Sequence, residues 1–125
     1  MPHLFKLLLP LLKPLFWLLL VLTTFLMLIE LKPQTAGYIY GDKLQHAIIF
    51  MVIALIGLFA YSHKKWFVLG GLIMFGLSIE VLQSSFTLTR QASLADWIAD
   101  IVGIAIAIGL VVIIKKFKNS PLLVR

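Results

Sequence analysis

Four long apolar stretches divide the chain, at about residues 15–31, 44–61, 66–86 and 94–114. Hydrophobic residues run through them without alternating with polar ones. That excludes barrel strands, in which lipid-facing and lumen-facing positions alternate. A helix needs ~20 residues to cross the hydrocarbon of a bilayer, with a lower limit of about 17. All four stretches reach that length, the first only just. In lipid the backbone must satisfy its own hydrogen bonds, so each stretch is predicted to be a helix despite its many Val, Ile and Phe. The pattern therefore predicts an all-α fold, a bundle of four transmembrane helices forming a single domain over residues 1–125.

The breaks between the stretches carry recognisable punctuation. "KPQTAGYIYGD" (32–42) contains Pro33, Gly37 and Gly41 and reads as a loop. "SHKK" (62–65) reads as a tight basic turn, and "TLTRQAS" (87–93) as a polar loop in which Ser93 is placed to cap the fourth helix. The first 13 residues are Leu-rich and basic. They either lie along the membrane interface or lengthen the first helix. No small-x-small motif follows the first apolar run, which predicts an uncleaved anchor rather than a signal peptide. The basic tail, 115–125, is expected at the surface.

Composition strengthens this picture. Hydrophobic residues make up 62% of the chain, charged residues only 13%, and the mean hydropathy is +1.07. Soluble domains have about 25% charged residues. A chain so poor in charge cannot cover its surface in water. The net charge of +6 sits in short clusters between apolar runs. That is a topology signal rather than a nucleic-acid footprint, and nucleic acid is not expected as a partner. With no cysteine, disulfides, thiolate catalysis and cysteine-bound metals are excluded.

Lys and Arg also predict orientation. With four spans both termini share a side. That side collects Lys6, Lys13, Lys64, Lys65, Lys115, Lys116, Lys118 and Arg125, against Lys32, Lys43 and Arg90 on the other. The excess predicts both termini in the cytoplasm. All five acids then fall in the outer half: Glu30, Asp42, Glu80, Asp96 and Asp100. His46, Gln83 and Arg90 belong to the same layer.

Helical spacing sharpens the cluster, because residues three or four apart share a face. Asp42 and His46 pair in this way if the second helix begins by Asp42. Glu80 and Gln83 pair on the third helix, and Asp96 and Asp100 on the fourth. Glu80 lies some six residues inside its run, or ~9 Å from the helix end. Charge at that depth is costly and should face the bundle, with Lys43, His46 or Arg90 as the expected partner of Glu80, or else Glu80 is protonated. Asp96 and Asp100 on one face call for a cation between them, Arg90 or a divalent metal. Ala99, Gly103 and Ala107 recur at four-residue steps and allow a close helix partner, so the two Asp residues should point inward.

At this point the polar residues resemble the VanZ-like family of small bacterial membrane proteins. "DKLQHAIIF" (42–50), "GLSIEVLQSSF" (76–86) and "RQASLADWIADIVG" (90–103) follow its pattern. That pattern reads Asp-Lys-x-x-His-x-x-x-Phe or Tyr, then Glu-x-x-Gln, then Arg, then Asp-x-x-x-Asn-x-x-Gly. It falls here on Asp42, Lys43, His46, Phe50, Glu80, Gln83, Arg90, Asp96, Asp100 and Gly103. One position departs, since the pattern has Asn where this chain has Asp100. The likeness spans about residues 41–109. The family is named for a member associated with resistance to the glycopeptide teicoplanin. The resemblance implies a protein of the bacterial cytoplasmic membrane linked to the cell envelope; it does not imply that this chain confers resistance.

Two classes of function fit these residues. In one, the cluster is a site for an anionic lipid headgroup or an envelope precursor. His46 and Glu80 are then the candidate acid and base, and Asp42, Lys43, Gln83, Arg90, Asp96 and Asp100 the binding residues, with Lys43 and Arg90 on phosphate. In the other, the same residues pair with one another, order the bundle or bind a partner, and catalyse nothing. Whether the chain is an enzyme stays open, and no cofactor is named. Oxygen-rich ligands with one imidazole suit Mg, Mn or Zn. The spacing along the chain matches no strong metal signature, and no metal is assigned. Transport would need polar residues through the full depth, and the cytoplasmic halves of the helices are nearly all apolar.

Overall fold

The computed structural model describes residues 2–29, 36–86 and 93–119, with no side-chain description for residues 2, 36–40 and 86. Among these residues all regular structure is helical. The elements are α1 (Pro2–Leu28), α2 (Ala36–Ala60), a single 3₁₀ turn (Ser62–Lys64), α3 (Lys65–Phe86) and α4 (Leu94–Lys118). Each contains a segment long and apolar enough to cross a bilayer: His3–Leu28, Gly41–Ala60, Ser62–Ser85 and Leu94–Lys118. The chain is thus a multi-pass membrane protein by length and composition.

The helices overrun the apolar stretches in instructive places. α1 runs straight through Pro10 and Pro14. Each proline removes one backbone N–H, but both are exposed on the helix surface and the flanking leucines keep the chain helical. At 27 residues α1 is ~40 Å long, well beyond a ~30 Å hydrocarbon layer. α2 begins at Ala36, so Gly37 and Gly41 lie inside a helix and not in the loop predicted over 32–42. Glycine costs a helix only about 1 kcal/mol, less than leaving backbone groups unbonded at a membrane boundary. α4 continues through Lys115, Lys116 and Lys118 in its last turn, where positive charge meets the negative end of the helix dipole. Residues 30–35, 87–92 and 120–125 lie outside the described residues, and with them Glu30, Lys32, Arg90 and Arg125.

The bundle has two unlike ends. At the basic end, Lys118 of α4 lies 5.3 Å from the Phe5 ring of α1, and Lys13 lies 5.4 Å from the Tyr61 ring. The Trp17 indole donates to the Tyr61 hydroxyl at 2.9 Å. The core next to this end is wholly apolar, built on Phe16, Ile53, Leu58, Val68, Leu72 and Val111. Trp66 and Phe67 are 75% and 82% exposed, as expected of side chains facing lipid or its interface. His3 and His63 are exposed at this same end.

The polar end is held by the seam between α2 and α4. The buried stripe of α4 runs Asp96, Asp100, Gly103, Ile104, Ala107 and Val111. Gly103 sets the separation: a Cβ there would fall on the Ala47 carbonyl oxygen of α2. Small residues at such crossings let backbones approach until van der Waals packing holds them, which matters where lipid removes the hydrophobic drive between helices. This close approach lets Asp100, one turn from Gly103, reach His46, the neighbour of Ala47.

Candidate functional site

The three polar pairs anticipated from helical spacing all face inward. Asp42 and His46 of α2 are buried, as are Glu80 and Gln83 of α3 and Asp96 and Asp100 of α4. α2 starts before Asp42, so the condition for that pair to share a face is met. His46 lies five residues inside its span, Glu80 five and Asp100 six. At 1.5 Å per residue these three side chains sit at a common depth of about 8–9 Å.

Their bonds tie one helix to the next. His46 Nδ1 and Asp100 Oδ1 are 2.8 Å apart, with both side chains almost fully buried. Lys43 donates from Nζ to Asp96 Oδ1 at 3.2 Å, at the more exposed rim. Both contacts bridge α2 and α4. Among the described residues each acid of α4 has its own partner on α2, Lys43 for Asp96 and His46 for Asp100.

Glu80 has a bonded partner that its spacing did not name, while His46, one that it did name, lies beside it. Its Oε2 accepts the Ser93 backbone N–H at 2.9 Å. Ser93 in turn caps α4, its hydroxyl accepting the Asp96 N–H at 3.3 Å. A carboxylate at a helix N-terminus meets unbonded N–H groups and the positive end of the dipole. Lys43 is engaged by Asp96 instead, and Arg90 lies outside the described residues. Helical spacing gives the face a residue occupies. It does not give the backbone group that a neighbouring helix brings to that face, so this contact had no signal in the sequence beyond the legible cap at Ser93.

Gln83 donates from Nε2 to the Met27 carbonyl at 2.7 Å. Met27 lies in the last turn of α1, where carbonyls have no partner within the helix, so this bond fastens α1 to α3. Trp97 donates from its indole to the Ile73 carbonyl at 3.0 Å, tying α4 to α3.

These bonds leave a remainder. Among the described residues, no protein group bonds His46 Nε2, Glu80 Oε1 or Asp100 Oδ2, and all three atoms are buried. One donor atom from each of the three residues can be chosen so that all lie within 4.8 Å of one another. Gly76 adjoins the same point: a Cβ there would stand 2.8 Å from Asp100 Oδ2. It precedes Glu80 by one helical turn on the same face, so the sequence could have marked it. A second set, Asp42, His46 and Asp96, also falls within 4.8 Å and shares His46.

The chemistry is thus concentrated at one end. A cavity of about 490 Å³ lies elsewhere, toward the basic end between α1 and α3, against Phe16, Trp17, Tyr61 and Phe75. Its walls are apolar and none of the clustered polar residues lines it. No protein family, curated protein or solved structure matches the chain, and the functional reading rests on the geometry of the cluster.

Proposed function

We propose that this chain is a VanZ-like protein of the bacterial cytoplasmic membrane, with both termini in the cytoplasm. Its polar cluster near the outer face recognises, and through His46 and Glu80 modifies, the headgroup of an anionic envelope lipid or cell-wall precursor. One observation carries this reading: His46, Glu80 and Asp100 meet within 4.8 Å through one ligand atom each, and each keeps a buried atom with no protein partner among the described residues. An unsatisfied buried polar group costs about 1–3 kcal/mol, and more if charged. A network selected only to hold helices together would not leave three such atoms unbonded. Intramembrane ionisable residues are, by default, functional. Lys43, at the rim and partly exposed, is the cation best placed to meet phosphate.

A second reading is favoured by the bonds themselves. Lys43 to Asp96, His46 to Asp100, Glu80 to Ser93 and Gln83 to Met27 each cross between elements. A non-enzymatic accessory protein would use them to fix helix register or to present a surface to a partner.

Lipid analysis separates the two. Wild type and Glu80→Gln are purified in mild detergent and their bound lipids identified by mass spectrometry. The headgroup reading expects a defined anionic species on the wild type, and its loss from a Glu80→Gln protein that still elutes as a folded bundle. Identical lipid profiles on two folded proteins would reject it. Single cysteines in the 32–41 and 62–65 segments test orientation; a membrane-impermeant thiol reagent should label only the former in intact cells.

A further inference from the structure

We infer that His46, Glu80 and Asp100 form a binding site for one divalent transition-metal ion of the Zn²⁺ or Mn²⁺ class.

The donor set is already assembled. The three residues come from α2, α3 and α4, and their relative exposures are 0%, 3% and 0%. Each contributes one buried atom that no described protein group bonds. Zinc binds imidazole nitrogen and carboxylate oxygen at ~2.0–2.2 Å, so two ligands of one ion stand no more than ~4.4 Å apart. The observed limit of 4.8 Å closes to that range with movements well below 1 Å. His46 Nδ1 already stands 2.8 Å from Asp100 Oδ1, so an ion taken by these two atoms replaces the proton between them.

Charge points the same way. With a neutral imidazole the set carries two negative charges at one depth inside the bundle. Lys43 does not offset them, because Asp96 engages it. A single divalent ion cancels both charges and satisfies all three side chains at once. One imidazole with two carboxylates is a mixed donor set that suits Zn²⁺ or Mn²⁺. Calcium prefers six to eight oxygen ligands and magnesium an all-oxygen octahedron, and three residues with a nitrogen among them supply neither.

Gly76 supplies the room. A methyl group there would stand 2.8 Å from Asp100 Oδ2 and 3.3 Å from both Phe50 and Trp97. Three protein ligands also leave at least one coordination position open, and a phosphate oxygen can take it. The ion would thereby supply an otherwise acidic site with the positive charge that an anionic headgroup needs. In that last respect the inference rests on the proposed function; the ion site itself does not.

The test uses the full chain in detergent with its purification tag removed. Protein is stripped with EDTA, desalted, titrated with Zn²⁺ or Mn²⁺, and its metal content read by mass spectrometry. The wild type should take up one ion per chain. Glu80→Gln and Asp100→Asn should each weaken uptake by about 100-fold or more, beyond the 10–100-fold typical of residues that only orient a ligand. Gly76→Ala keeps every ligand and should weaken uptake through its methyl group alone. Wild type that retains no more ion than a detergent blank overturns the inference, and the three atoms are then met by water and protons. Wild-type uptake in all three variants overturns it equally. Lipid is measured on the same samples. An ion without a defined lipid supports the site and removes the headgroup reading. A lipid lost in Glu80→Gln, with no ion in the wild type, does the reverse.

Discussion

Replacing Gly103 with alanine sets a methyl group on the Ala47 carbonyl oxygen. Neither backbone can yield locally, since both atoms belong to regular helices. The seam between α2 and α4 must therefore open by on the order of 1 Å to restore van der Waals contact. Overpacking of this kind costs about 1–3 kcal/mol. The displacement also reaches the site, because Asp100 is one turn from Gly103 and His46 adjoins Ala47. Their 2.8 Å contact would lengthen past ~3.5 Å, where a hydrogen bond is lost. A buried bond to a charged group contributes about 1.5–3 kcal/mol. The summed cost is about 2.5–6 kcal/mol. Reversible unfolding in mixed micelles measures it directly.

Controls are built into the bundle, one in α3 and one in α4. Gly70 and Gly109 have nothing within 4 Å of an added Cβ. Alanine at either should be neutral or stabilise by up to about 1 kcal/mol through helix propensity. If Gly103→Ala lies within about 0.5 kcal/mol of wild type, the close approach of α2 and α4 is wrong, and with it the account of how His46 reaches Asp100.

Further consequences follow from individual bonds. A double-mutant cycle on His46→Ala and Asp100→Ala should return a coupling of about 1–2 kcal/mol, at the upper end for hydrogen bonds between membrane helices; independent effects would mean the contact is not formed. Gln83→Leu removes the donor to Met27 and should cost about 1 kcal/mol. It should also increase protease access to the α1 end, with the other three helices unaffected. Trp97→Phe deletes the donor to Ile73 and should cost about 1 kcal/mol with little change in expression, read by thermal scanning of the purified protein.

Much of the bundle was legible because lipid leaves the chain few choices. Continuous apolar length gave the spans, and a period near 3.6 gave the inward faces of Asp42 and His46, Glu80 and Gln83, Asp96 and Asp100. Two kinds of feature were not legible. Gly37 and Gly41 read as breakers by rules drawn from water, where a freed backbone group can bond solvent; at a membrane it gains more by staying helical. The second kind is pairing across helices. Glu80 meets the Ser93 N–H, and Gln83 the Met27 carbonyl. Both partners are backbone groups at helix ends, and their positions depend on how far one helix slides along another. Gly103 sets that register for α2 and α4, yet in the sequence it is only one small residue among several.

The placement of the cluster follows from a balance of costs. A charged side chain at the bilayer centre costs about 2.5–3.5 kcal/mol, and less toward the interface. At ~8–9 Å inside the ends of the apolar spans, His46, Glu80 and Asp100 are deep enough to be shielded from bulk water by three helices. They are also shallow enough for a polar ligand to arrive without crossing the apolar core. Moved one turn deeper, the cluster would meet the level of Phe50, Ile53 and Ile104, which are fully packed. Moved one turn outward, it would join Lys43 at the rim, where water screens its charges and weakens their hold on any ion or phosphate. The depth at which these side chains meet is thus the depth at which strong electrostatics and access coexist. A structural network gains nothing from access, and could sit anywhere along the seam that Gly103 holds closed.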